Sequence, residues 1–172
     1  MSTAHSLEEQ PIRILSASVD PRLNHSRAVL LRDHGFDVIT SESIERAREL
    51  IKSSRFDVLI FGSTLTPAVC WELAEVFRAS NTRGRIIEII PSPAGPIKNN
   101  PDAVVLTMDE SSRLVATIRD NLRVTKSEDD ERLTLLASQA AVEPNPDKLM
   151  KLLEEINRLL DEREKRRTPR SS

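Results

Sequence analysis

The chain is poor in the residues that build most compact chemical sites. Among its 172 residues there are one cysteine, four glycines, three histidines and no tyrosine. Cys70 alone excludes an intrachain disulfide and a cysteine-based metal cage. His5, His25 and His34 stand apart among polar residues, and no H-x-x-H or H-E-x-x-H spacing supports metal catalysis. With so little glycine there is no G-x-G-x-x-G, no Walker loop and no G-x-S-x-G elbow. No apolar run approaches the ~18 residues of a membrane span. The first ten residues are polar and lack a basic-then-apolar signal pattern. A net charge of -2 gives no bulk attraction to nucleic acid or membrane. With 38 % apolar and 30 % charged residues, the expectation is a globular cytoplasmic protein with no cofactor and no bound metal.

What the chain does have is alternation. Residues 1–10 read as a disordered leader. Apolar runs at 12–17 (IRILSA), 36–40 (FDVIT), 56–61 (FDVLIF), 86–90 (IIEII) and 103–106 (AVVL) read as five strands. Helical patterns follow the first three at 22–34, 44–52 and after Thr66-Pro67, and another runs over 110–122. Asp20-Pro21 and Thr66-Pro67 read as a cap followed by a first helical proline. Gly35 ends the first helix. Between strands four and five, PSPAGPIKNNPD holds four prolines and one glycine in twelve residues, which argues against a helix there. Parallel strands joined by right-handed crossovers make a doubly wound α/β sheet of flavodoxin-like type, order 2-1-3-4-5. That domain spans 11–123.

The tail has another character. A capping-box pattern at Ser127 to Asp130 opens a short helix through about Val142. Pro144-Asn145-Pro146 breaks it, and a second helix over 146–166 carries Leu149, Leu152 or Leu153, Ile156, Leu159 and Leu160 on one face. The tail, 124–166, is thus a C-terminal helical hairpin, followed by a disordered end at 167–172. Its apolar stripe can dock on the chain's own domain or pair two copies through 146–166, and both arrangements stay open.

The order of elements, the Asp20-Pro21 opening and the stretch HGFDVITSESIERARELIKSSRFDVLIF resemble the receiver (CheY-like) domain of bacterial two-component response regulators, over about two-thirds of the chain. In that family, carboxylates after the first strand help hold Mg²⁺, and an aspartate after the third accepts phosphate in a phosphorelay. A hydroxyl after the fourth strand and a lysine after the fifth read the phosphoryl group. Here those positions fall on Ser18 and Val19, Gly62, Ile90 (with Pro91 next and Ser92 two on) and Met108. None supplies the hard anionic oxygens or the cation that the chemistry needs. The resemblance therefore implies a degenerate pseudo-receiver: a non-enzymatic module acting by protein–protein contact. A signalling kinase or regulator is the kind of partner it implies. The face implied for contact is the last strand and helix, Val104 to Leu122, or the tail. The segment QAAVEPNPDKLMKLLEEINRLLDEREKRR resembles a helical tail of bacterial proteins, often acidobacterial, and implies no mechanism.

Single residues admit blander readings. Asp20 caps a helix more simply than it holds a metal, and Asp109 caps the helix after it. Ser63, Thr64 and Thr66 serve loop and cap rather than modification. Glu88 within IIEII reads as partly solvated near a strand end. Cys70 lacks a partner, and Trp71 is packing or a surface anchor. The basic run REKRRTPR at 163–170 reads as a fraying terminus, so nucleic-acid contact is not expected. The alternative function is a small-ligand site at the strand ends, where Gly62 would leave room among Ser18 and Met108.

Overall fold

The structure is a computed structural model that describes residues 10–95 and 97–167. The expected leader and disordered end lie, except for Gln10 and Arg167, outside those residues. The chain divides into two compact units, Pro11–Leu122 and a second that includes Arg123–Ser172.

The first unit is a five-stranded parallel sheet of order 2-1-3-4-5. Its strands are β1 (Arg13–Ala17), β2 (Asp37–Ser41), β3 (Val58–Phe61), β4 (Arg85–Ile90) and β5 (Ala103–Leu106). Helices α1 (Pro21–Asp33), α2 (Ile44–Ser53) and α3 (Pro67–Ser80) follow the first three strands, and α4 (Glu110–Val142) follows β5 and a 3-10 turn, Thr107–Asp109. The central strand β3 is buried at every position, as its unbroken apolar run requires of a strand covered on both faces. One face packs Ile14, Val58, Ile60, Ile87, Ile89 and Val105 against Ala28, Leu31, Leu114 and Ile118. The other packs Leu15, Leu59, Phe61 and Ile86 against Leu50, Leu73 and Phe77. Burial of each such side chain contributes about 1.5–3 kcal/mol, so the two slabs dominate the stability of the unit.

Local chemistry fixes where the helices start and stop. Asp20 Oδ1 accepts from the backbone N–H groups of Arg22 and Leu23 at 2.9 and 3.2 Å, which makes it the cap of α1. Gly35, at φ +87°, lets the chain leave α1 while the Phe36 N–H closes on the Leu31 carbonyl. Thr66 occupies the cap position of α3 without a side-chain bond to it, so the first-turn proline carries that start. The N-terminal sheet edge is tied by Asp57, which accepts from Arg13 N at 2.8 Å, and Asp102, which accepts from Ile86 N at 2.7 Å.

Two expectations change. The predicted helices over 110–122 and from Ser127 are one continuous helix, α4, of 33 residues. The capping-box residues sit inside it, because backbone bonds already running along a helix leave no free donors for a cap. Asp109 lies in the 3-10 turn before α4, and Ser112 Oγ donates to its carbonyl at 3.1 Å. The buried face of α1 is Asn24, Arg27, Ala28 and Leu31.

In the second unit the last turns of α4 and the helix α5 (Pro146–Arg167) run on either side of the Pro144–Pro146 break. Asn145 Oδ1 caps α5 through the Asp147 and Lys148 N–H groups. Leu136 and Leu159 are buried, and Arg132 pairs with Glu155 at 2.5 Å between the two helices. Among the described residues no helix is long and apolar enough to cross a membrane.

Candidate functional site

Parallel strands deliver their C-terminal ends to one edge, so Ser18, Gly62, Pro91 and Thr107 follow the strands there. Ser18 is buried, and its N–H donates to the Ser41 carbonyl at 3.0 Å. Its Oγ lies 3.2 Å from Thr64 Oγ1 and accepts from the Asp20 N–H at 3.3 Å. Gly62 N–H donates to the Ala17 carbonyl at 2.8 Å, which draws the β1 and β3 ends together.

That closeness decides the character of the site. A Cβ placed on Gly62 would lie 2.7 Å from Ser18 Oγ and 2.8 Å from Ser18 Cβ. Real Cβ atoms are not found at such distances, and Ser18 Cβ is fixed to the backbone. The expected room at Gly62 is therefore absent: Ser18 fills it.

The other positions diverge. Val19 is 51 % and Met108 79 % exposed, so neither points into the edge. Ile90 is buried, and its carbonyl accepts from Thr107 Oγ1 at 3.2 Å. Ser92 is exposed and accepts the Ala94 N–H in its own turn. The structure thus brings Ser18, Gly62 and Ile90 to the edge and leaves Val19 and Met108 at the surface. Asp20 has one carboxylate oxygen engaged by the helix it caps. Among the described residues no cluster of three His, Cys, Asp or Glu side chains could hold a metal ion.

Two residues that the sequence pattern did not single out for the site are Lys98 and Thr107. Residues 91–102 form a strap without helix among its described residues. Lys98 Nζ crosses from it to the Ser63 carbonyl at 2.9 Å, beside Gly62. The ammonium at this edge thus comes from the strap between β4 and β5, not from after β5. Its one available signal was being the only lysine in the proline-rich segment.

Glu88 corrects another expectation. It is fully buried, not partly solvated. Its two carboxylate oxygens accept the Lys98 N–H at 3.0 and 3.1 Å, and Asn99 Nδ2 donates to one of them at 3.4 Å. A buried carboxylate needs such donors, and the strap supplies them where a crossover helix is missing. Cys70 is buried close by; burial pushes its thiol from 9.0 up to about 11, with Lys98 opposing and Glu88 adding to the shift. It is a neutral thiol at physiological pH and a poor nucleophile. Trp71 is 55 % exposed on α3 and is a surface residue.

Beneath the edge, Ser16 Oγ donates to Asn24 Oδ1 at 2.7 Å, and Asn24 Nδ2 donates to the Ser41 carbonyl at 3.1 Å. Arg27 donates to Ser16 Oγ at 3.1 Å and to Glu110 Oε1 at 2.5 Å. This network joins α1, β1, β2 and the start of α4 with nearly complete burial.

The comparison with solved structures follows the same sheet. The response regulator receiver protein of Sinorhizobium medicae is 22 % identical, with a TM-score of 0.59 over 67 % of this chain and 98 % of its own. The CheY-like receiver domain protein of Methanospirillum hungatei is 18 % identical, with a TM-score of 0.60 over 69 % and 99 %. The response regulator TrrA of Thermotoga maritima, solved in complex with Mg²⁺–BeF, is 18 % identical, with a TM-score of 0.56 over 64 % and 98 %. The fold is that of response-regulator receiver domains. No family model and no curated protein matches the chain. Within this fold the strap replaces the crossover helix that regular alternation would place between β4 and β5.

Proposed function

We propose that the chain is a non-enzymatic interaction module, a receiver scaffold that works through its surface without accepting a phosphoryl group. The observation that carries this reading is Ser18 standing where a side chain on residue 62 would have to begin. A phosphoacceptor needs a carboxylate at that point, and neither the carboxylate nor space for it is present. The exposed Met108 and the helix-capping Asp20 support the same reading. Mg²⁺, held with BeF in the Thermotoga regulator, asks for several hard oxygen ligands. One capping carboxylate and a set of hydroxyls bonded to one another do not fit it.

The partner in this reading is a protein, of the signalling kinase or regulator kind that the receiver likeness implies. Contact falls on β5 and the start of α4, or on the second unit; pairing of two copies through 146–166 is the other arrangement. A small ligand at the strand ends, the competing reading, loses the cavity that Gly62 was to provide.

The test is incubation with acetyl phosphate and Mg²⁺, followed by intact-mass measurement before and after hydroxylamine. The mass is expected to stay unchanged. A stoichiometric, hydroxylamine-sensitive phosphoryl gain on any aspartate overturns the reading.

A further inference from the structure

The strap between β4 and β5 is held down almost without hydrophobic burial. Its ends are fixed. Pro91 follows directly on β4, and the Asp102 N–H donates to the Ile86 carbonyl at 2.8 Å while its carboxylate accepts from Ile86 N and Arg85. Between those ends, prolines apart, Ile97 is the one described side chain that is large and apolar, and it is 58 % exposed. Ser92, Ala94 and Gly95 bond to one another within their own turn. The one buried residue among those described in the strap is polar: Asn99.

Polar contacts from three consecutive residues seat the strap instead. The Lys98 N–H donates to both oxygens of Glu88, and Asn99 Nδ2 donates to one of them. Lys98 Nζ donates to the Ser63 carbonyl, and the Asn100 carbonyl accepts from Arg78. Two of the groups in this seat are served better by water. Among the described residues Glu88 forms no ion pair, so a fully buried carboxylate rests on one shared N–H and one long amide contact. Asn99 Oδ1 is buried without a hydrogen-bond partner. Lifting the strap exchanges these contacts for hydration and gives up little apolar burial. Segments of that kind open locally, ahead of the fold that carries them.

We propose that the strap is a two-state latch: residues 97–101 leave β4 together while the sheet stays folded, and Lys98 sets the balance. Lys98 holds the seat twice, through its N–H and its ammonium, and the ammonium is the contact that reaches the turn between β3 and α3. The two states differ in charge. Closed, the latch holds an ammonium beside Gly62 and hides Glu88. Open, it withdraws the ammonium and hands a carboxylate to water. The charge presented at this corner therefore follows the position of the strap, whatever the chain binds.

The test is amide hydrogen exchange by NMR on the full chain, at urea concentrations below the unfolding transition. The Lys98 amide is expected to exchange about a hundredfold faster than those of Leu59 and Ile87, through an opening that urea hardly affects because it exposes little surface. Lys98→Met, at a half-exposed position, is expected to speed exchange at residue 98 about tenfold after correction for intrinsic rates, and exchange there stays flat in urea. A cooperative urea transition of native slope shows that the variant folds. Exchange at residue 98 that climbs with urea in step with Leu59, at the same free energy, overturns the proposal, because strap and sheet then open only together. So does a Lys98→Met variant that leaves exchange at residue 98 unmoved.

Discussion

Ser18 and Gly62 exclude one another: the hydroxyl and Cβ of Ser18 lie 2.7 and 2.8 Å from where any side chain on residue 62 would start. Gly62→Ala is therefore expected to destabilise the fold by about 1–3 kcal/mol through overpacking. Ser18→Gly in the same chain should recover most of that loss, whereas Ser18→Ala should not, because its Cβ stays. Urea unfolding of the single and double variants measures the coupling; additive effects would show that the two positions do not compete. Gly62→Asp alone should remain unphosphorylated.

The Arg27–Glu110 pair makes a second prediction. Arg27 is 1 % exposed in its side chain and Glu110 15 %, so removal of one partner leaves a charge stranded in low dielectric. Arg27→Met is expected to cost about 3 kcal/mol or more. Adding Glu110→Leu should return much of it, since an apolar pair of similar size removes the stranded charge. If the double variant is as unstable as the single, the ion pair is not the cause.

Glu88 anchors the strap through the Lys98 backbone N–H. Glu88→Gln keeps the shape but removes the charge and one acceptor, at a cost of about 1–2 kcal/mol. Hydrogen exchange should report it locally: the Lys98 amide loses protection while the amides of β3 keep theirs. Unchanged Lys98 protection would count against the anchor.

Cys70 sets a prediction in pH. Its thiol ionises at 9.0 when unhindered and is pushed up to about 11 in the fold. The neutral thiol is favoured by folding, so its contribution is complete below pH 9 and is lost as pH rises toward 11. Melting temperature should fall across that window more steeply in the native chain than in Cys70→Ala. Thiol reagents should label Cys70 only on unfolding.

Strand order was legible in the sequence because burial on both sides of a parallel sheet writes apolar runs, unbroken in VLIF and interrupted only by Glu88 in IIEII. The residue types at the strand ends were legible too. Their geometry was not. Ser18 read as a lost ligand, yet its role in space is to occupy the volume beside Gly62, and no one-dimensional pattern shows which hydroxyl meets which backbone. Arg27 and Asn24 carry no signal of their burial, because periodicity marks apolar faces and cannot mark a polar face that folding buries with its partners. Glu88 failed for the same reason: its donors are a backbone N–H and an amide ten and eleven residues away. The capping box at Ser127 misled because a cap motif inside a longer helix has the same letters as one at its start.

The strap between β4 and β5 also removes a dipole. A crossover helix aims its N-terminal N–H groups at the strand ends and brings roughly half a positive charge to that corner. Without one, Lys98 holds the positive charge there on a side chain, bound to the Ser63 carbonyl. A backbone dipole survives every substitution that leaves the helix intact. A side-chain ammonium is erased by one codon change or one acetyl group, so the electrostatics of this corner are open to adjustment without any change of fold.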